Sequence, residues 1–208
     1  PPEAMGSADL ILLADPRGHA HFIDMILRSA LKRGRKARKK WQVVLNSAQR
    51  YGMYANQRIA DGEIIELMEE HPHVLVSKRQ VLHNWSLQQQ QWFARYAYPI
   101  TDEIYVMWSN DPGQWKPINH SCNPNTWLDG LNLVARRPIA PGEQITIDYG
   151  AFRNETMEEF ACSCGASNCR GVIRGNDYQQ AFIGQYEPYV AEYVLNKRKT
   201  KRNETLYS

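Results

Sequence analysis

Four cysteines are the residues of this 208-residue chain with the clearest capacity for chemistry. Cys162, Cys164 and Cys169 stand in F-A-C-S-C-G-A-S-N-C-R-G, a C-x-C-x4-C spacing. Three thiolates this close in the chain can converge on one tetrahedral ion, which then needs a fourth ligand. The remaining cysteine, Cys122, lies well upstream in N-H-S-C-N-P-N at residues 119–125. Asn, Ser and Pro mark that stretch as a loop, yet a turn has no use for an added His and Cys. Counting therefore proposes a structural four-cysteine zinc site joining this loop to the C-terminal segment. An even count also permits two disulfides in a secreted chain, and N-x-S/T sequons such as those at Asn119, Asn154 and Asn203 agree superficially. Against that reading, sequons arise often by chance. The apolar stretch Leu10–Ala14 is also too short for a signal-peptide core and has no basic residues before it.

The net charge of +3 hides a sharp segregation. Residues 32–40, K-R-G-R-K-A-R-K-K, hold seven basic and no acidic residues, and residues 197–202 hold five more basic ones. Setting those twelve aside leaves 13 Lys and Arg against 22 Asp and Glu, so the body carries −9. An acidic body attracts basic peptides, whereas basic segments suit nucleic acid or an import receptor. The plain alternative for both runs is a solvated face, and for the second a fraying tail. No apolar run approaches the length of a membrane-spanning helix, so no membrane partner is expected.

The chain is long enough for one domain with a real core. The opening P-P-E-A-M-G-S is left out of fold reasoning. Apolar spacing predicts a helix over residues 19–45, weakened at Gly34. From Val43 the texture changes to short strands: V-V-L-N, then Y-G-M-Y-A, a turn at Asp61-Gly62, and E-I-I-E-L-M. Trp85 to Tyr98 reads as one helix ending before Pro99. Strands are expected at Glu103–Trp108, Leu131–Ala135 and Gln144–Tyr149, the last two joined through a Pro141-Gly142 turn. No internal repeat is evident. The expected fold class is mainly β with peripheral helices, an α+β arrangement of short strands.

Taken in order, several motifs resemble the SET-domain protein lysine methyltransferases with a post-SET zinc segment. They are Y-G-M-Y-A at 51–55, I-A-D-G-E-I-I-E at 59–66, N-H-S-C-N-P-N, A-P-G-E-Q-I-T-I-D-Y at 140–149 and the cysteine segment. The resemblance covers roughly residues 43–173. It implies a SET fold in which the Asn-His loop is threaded by the Asp-Tyr segment as a pseudoknot. The implied organisation is an N-terminal flank with a basic helix at 1–42, a SET domain at 43–150, a post-SET zinc segment at 151–175 and a C-terminal helix with a basic tail at 176–208.

By the same resemblance, Tyr149 is the catalytic residue, and Ile147 and Tyr149 line the substrate channel. Tyr51, Gly52, Met53, Tyr54, Lys116, Asn119, His120 and Val172 would contact S-adenosylmethionine, while Cys122, Cys162, Cys164 and Cys169 would hold Zn2+. The implied activity is methyl transfer to a lysine ε-amine of a basic protein such as a histone tail, in the nucleus or alternatively the cytoplasm. Nucleosomal DNA is a candidate partner for Lys32–Lys40. Three departures from the family pattern stand out. Arg50 replaces a usual Gly, and Lys116-Pro117-Ile118 replaces a usual Arg-Phe-Ile. Ile147 replaces a usual Phe or Tyr and so favours di- or trimethylation. Arg50 and Pro117 support a second reading, a catalytically silent SET module that binds chromatin or nucleic acid through its basic segments.

Overall fold

The computed structural model describes residues 24, 39–46, 50–68, 73–107 and 116–206. Residues 40–208 form one compact unit. Twelve short strands are described: β1 (Trp41–Leu45), β2 (Tyr51–Ala55), β3 (Ile64–Glu66), β4 (Val74–Ser77), β5 (Tyr98–Pro99), β6 (Ile104–Met107), β7 (Asn119–His120), β8 (Thr126–Asp129), β9 (Asn132–Ala135), β10 (Gln144–Ile147), β11 (Phe160–Ala161) and β12 (Val172–Ile173). They assemble as β1-β2-β10-β7, β3-β9-β8, β4-β6-β5 and the ladder β11-β12. Helices α1 (Lys78–Asn84), α2 (Leu87–Tyr96) and α3 (Glu192–Leu206) lie outside these sheets. The mainly β fold with peripheral helices is thus the observed class.

The expected helix over residues 19–45 fails at its end, because Trp41–Leu45 is a strand paired in full with Tyr51–Ala55. Residues 25–38 lie outside the described residues, as does most of the basic run. The β-branched pair Val43-Val44 suits a pleated strand better than a helix, and pairing with β2 decides the matter. The single helix expected from Trp85 is instead α2, opened by Ser86. The Ser86 hydroxyl accepts from the Gln89 N–H, and the Gln89 side chain accepts from the Ser86 N–H, a reciprocal cap. A separate α1 precedes it, capped by Ser77.

An internal repeat, missed above, organises the centre. The turn I-A-D-G-E at 59–63 recurs as I-A-P-G-E at 139–143. Ile59 and Ile139 exchange both backbone hydrogen bonds, at 3.0 and 2.9 Å. The Gly62 N–H donates to Ala135 O and the Gly142 N–H to Ala55 O, at 2.9 and 2.8 Å. Glu63 and Glu143 each accept the N–H of the Ala three residues back. Both glycines have positive φ, 72° and 80°, which an L side chain resists. Two like halves therefore meet about a local pseudo-dyad, and the core residues Met53, Ile59, Leu133, Ile139, Ile145 and Ile147 gather there. Two degenerate copies with different flanking lengths hide this from a simple self-comparison.

Past β10, the chain is tied to the rest by buried polar groups. Arg153 donates to Ala94 O, Ala97 O and Arg95 O at 2.6, 2.7 and 3.0 Å, closing the carbonyl end of α2. Burial lowers its pKa to about 10, so it remains a cation at neutral pH. Buried Asn154 donates to the hydroxyls of Tyr105 and Tyr193 and accepts from Thr156. The sequon there has no room for a glycan. The expectation of a fraying tail also fails at its start. In α3, Lys197 pairs with Asp102 and Glu155, and Arg198 donates to Tyr178 O and Gln180 O.

Arg153→Met keeps an unbranched, flexible stem but leaves three helix-end carbonyls without donors. It should lower unfolding free energy by about 2–3 kcal/mol, read from urea denaturation. A loss under about 0.5 kcal/mol would show that water replaces the guanidinium at no cost.

Candidate functional site

The four cysteine sulfurs lie within 4.8 Å of one another, and all four cysteines are free. Ligand bonds of about 2.3 Å to a tetrahedral zinc put neighbouring sulfurs about 3.8 Å apart, so the donor set and its spacing fit that ion. Cys122 is buried in the loop after β7, and Cys162, Cys164 and Cys169 come from the segment between β11 and β12. The Arg170 N–H points at Cys122 Sγ at 3.3 Å and the Cys122 N–H at Cys164 Sγ at 3.5 Å. Such N–H donors favour thiolates. Without metal, burial pushes the Cys122 thiol up to about 11 and Cys162 up to about 12. Burial also raises Cys164, but the N–H groups of Cys122 and Ala166 and the neighbouring thiols overcome it, leaving Cys164 at about 6. Burial thus opposes charge on the cluster while backbone N–H groups favour it, a conflict that a divalent cation resolves.

Next to this cluster, β7 lies parallel to β10, with Asn119 opposite Thr146 and His120 opposite Ile147. This is the pairing that a threaded Asn-His loop requires. Asn119 Nδ2 donates to Tyr51 O at 2.9 Å, joining the loop to the start of β2. At Gly52 a Cβ would sit 2.5 Å from Gln144 Nε2 and 3.0 Å from Asn119 Nδ2. The glycine therefore lets the side chains of Asn119 and Gln144 lie directly against the β2 backbone, which a Cβ would push away, and this bare stretch of backbone between β2 and β7 is the candidate cradle.

His120 spends both ring nitrogens internally. Nδ1 accepts from the Tyr149 N–H at 3.1 Å, so the ring proton belongs on Nε2, which faces Cys122 Sγ at 3.4 Å. Burial lowers the His120 pKa to about 4, against the opposing pull of Asp148, so the ring is neutral at physiological pH. The Tyr149 hydroxyl donates to Ile118 O at 2.8 Å. Its ring meets the edges of His120, Phe152 and Phe160 at centroid distances of 5.3, 5.6 and 5.9 Å. Burial raises the Tyr149 pKa and keeps that hydroxyl protonated.

The residue between Ile147 and Tyr149 escaped the sequence analysis. Asp148 is 1% exposed and accepts both terminal nitrogens of Arg170, at 2.7 and 2.8 Å. It also accepts the Gly150 N–H at 2.9 Å. The Tyr186 hydroxyl lies 3.1 Å from both Asp148 Oδ2 and Cys122 O, so its one proton serves either. Arg170 further stacks over Phe182 at 4.2 Å and faces Asp177 at 3.3 Å. The available signal was an acid immediately before Tyr149 and an Arg immediately after Cys169. Nothing in the spacing paired them.

The other candidates are placed less simply. Met53 is fully buried and gives its N–H to Pro117 O at 3.2 Å, while Tyr54 is half-buried opposite Gln42 and Gln144. Lys116 is directed to Glu66 at 3.4 Å, and Glu66 also accepts Trp41 Nε1 at 2.8 Å. Ile147, 3% exposed, lies in the core cluster against which Tyr149 packs. Half-buried Val172 pairs with Ala161, and its neighbour Ile173 packs beside Cys122 and Met157. The site thus gathers Tyr51, Gly52, Asn119, His120, Tyr149 and the four cysteines, while the charge of Lys116 is engaged elsewhere.

Comparison with known proteins points to the same segment. A family model described as SET domain matches residues 50–150. An H3 lysine-36 specific histone-lysine N-methyltransferase of Candida albicans is 28% identical over 157 residues, covering 69% of this chain and 18% of that protein. Histone-lysine N-methyltransferase ASHH3 of Arabidopsis thaliana is 30% identical over 141 residues, 64% of this chain and 38% of that protein. Methyltransferase flvH of Aspergillus flavus is 30% identical over 94 residues, 42% of this chain and 53% of that protein. The chain therefore spans at most about half the length of these relatives.

Elemental analysis of the purified protein should find about one zinc per chain. Cys122→Ser should lower that content, and melting temperature with it, because one ion would join two segments far apart in sequence. Full zinc retention in the variant would remove Cys122 from the site.

Proposed function

Residues 50–150 make this chain a member of the SET-domain family, and from that premise we propose that it methylates a lysine ε-amine of a basic protein, a histone tail foremost, using S-adenosylmethionine. The observation that carries the reading is the Tyr149 hydroxyl, held on Ile118 O at 2.8 Å beside the Asn119 and Gly52 cradle. When bound, the cofactor supplies an electrophilic methyl group on a sulfonium, which leaves as a neutral thioether when the new C–N bond forms.

The chain's own residues would do the positioning. Gly52 carries no side chain to cover the β2 backbone, so the amino-acid end of the cofactor would lie there, with Asn119 at its border. Tyr149 presents a protonated hydroxyl and, with the Ile118 carbonyl, a polar end to an otherwise aromatic wall. The incoming lysine must lose its proton to solvent before attack, and a desolvated aromatic surround lowers its pKa. Alignment then matters more than a strong base. Ile147 beside Tyr149 has no hydroxyl with which to hold a water in the channel, which favours more than one transfer.

A Zn2+ on Cys122, Cys162, Cys164 and Cys169 would pin the β11–β12 segment against the Asn119-His120 loop. The acidic body suits a basic substrate, and a histone substrate suits the nucleus. Lys40 pairs with Glu63 at 2.6 Å and donates to Ile64 O at 2.7 Å, so it belongs to the compact unit. The earlier basic residues would be the ones to meet nucleosomal DNA.

Labelled S-adenosylmethionine should mark one core histone, located by mass spectrometry, and should do so better in nucleosomes than in free histones. Reversing Arg35, Lys36 and Arg38 to Glu should remove the nucleosome advantage and leave labelling of a short free peptide within about twofold, since phosphate contacts are long-range and salt-dependent. Cofactor binding without label on any histone would favour the silent module or a different protein substrate.

A further inference from the structure

The amino-acid end of S-adenosylmethionine carries a carboxylate, and a bound carboxylate calls for charged or N–H donors. The candidate that the resemblance offers for this, Lys116, is already paired with Glu66. Both ring nitrogens of His120 are used within the fold, on the Tyr149 N–H and Cys122 Sγ. Arg170 is committed to Asp148, and Arg153 to the carbonyls of α2. Each cation that belongs to the site's own segments is therefore engaged, with one exception.

Arg50 immediately precedes β2. Asn46 fixes its backbone on both sides: the Arg50 N–H donates to Asn46 Oδ1 at 3.0 Å, and Arg50 O accepts the Asn46 N–H at 2.9 Å. Its guanidinium reaches across to Ser163 Oγ at 3.3 Å, a neutral hydroxyl lying between the two ligands Cys162 and Cys164. Among the described residues no carboxylate pairs with it. The guanidinium thus spans from the β2 side of the cradle to the cysteine segment, with most of its donors uncommitted. Here chains of the resembling family usually carry Gly, so this cation is a feature of the present chain.

We propose that Arg50 is the carboxylate anchor of the cofactor site, its planar fork closing over the amino-acid end of S-adenosylmethionine beside Ser163. The proposal rests on the methyltransferase reading above and assigns a ligand contact within it. It also gives a function to the departure at Arg50, which the sequence alone counts toward a silent module. A guanidinium suits the task because it meets a carboxylate with two parallel N–H bonds, which an ammonium cannot do.

Titration calorimetry with S-adenosylmethionine and with its decarboxylated analogue tests this on the wild type, Arg50→Gly, Arg50→Lys and Ser163→Ala. Arg50→Gly should weaken S-adenosylmethionine binding about tenfold or more, the worth of hydrogen bonds to a charged group, and leave the analogue's affinity unchanged. Arg50→Lys should recover part of the loss, and it keeps the test open should the glycine variant fold poorly. Ser163→Ala should change neither affinity by more than about twofold, since only a neutral contact is lost. Equal losses for both ligands in Arg50→Gly would mean that Arg50 merely braces the cysteine segment, and no loss would mean that it touches nothing; either overturns the proposal. A wild type that binds neither ligand would instead overturn the methyltransferase reading itself.

Discussion

The bidentate pair between Asp148 and Arg170 is the interaction on which the site's geometry depends. Asp148 directly precedes Tyr149, and Arg170 directly follows Cys169, so one buried ion pair ties the proposed catalytic strand to the cysteine segment. Such a pair recovers its desolvation cost only when its remaining valences are met. Here the Gly150 N–H and the Tyr186 hydroxyl serve the carboxylate and Phe182 covers the guanidinium, while Arg170 Nε faces Asp177 at 3.3 Å without a hydrogen bond. Removing one partner of a buried pair typically costs about 3–5 kcal/mol, because the other is left charged and dry. Apart from Gly150, the residues around this node, Asp177, Phe182 and Tyr186, come from the 177–186 stretch. The segment after the cysteines is therefore structural support for Tyr149 as well as a terminal appendage.

A second connection runs in parallel. The Tyr149 N–H rests on His120 Nδ1, and the opposite nitrogen of that ring faces Cys122 Sγ. The backbone of Tyr149 thus hangs from the cysteine cluster through a neutral imidazole, while its preceding carboxylate hangs from the same segment through Arg170. Two independent links with different chemistry locate one residue, which is what a reaction governed by alignment requires.

Much of this was legible in the chain, and what was missed has identifiable causes. The C-x-C-x4-C spacing and the lone Cys122 announced a four-sulfur site because sulfur chemistry leaves few alternatives. N-H-S-C and I-D-Y announced their neighbourhood through resemblance, which gives residue types but not side-chain partners. Hence Lys116 was carried over toward the cofactor by type alone, and its contact with Glu66 is visible only in the fold. The Asp148–Arg170 pair lay beyond reach because its members are twenty-two positions apart and each has an ordinary local explanation. Trp41 and Gln42 were read only as the end of a helix because basic residues upstream continued a helical apolar spacing, whereas V-V-L-N from Val43 already read as strand; pairing with β2 settles where the strand begins. The pseudo-dyad of the two I-A-x-G-E turns was visible as text, but two five-residue copies signal a repeat only once their hydrogen bonds are seen to match.

The central claim is that the Tyr149 hydroxyl acts on the reacting groups and does more than fill space. Single-turnover methyl transfer by Tyr149→Phe on a validated substrate tests it most directly, because the ring and its contacts with His120, Phe152 and Phe160 are kept. Losing the bond to Ile118 O should cost only about 0.5–1.5 kcal/mol of stability. The account predicts a fall in transfer rate of about a hundredfold or more, with melting temperature and cofactor affinity little changed. A rate within about threefold of the wild type would contradict it and leave Tyr149 a packed aromatic.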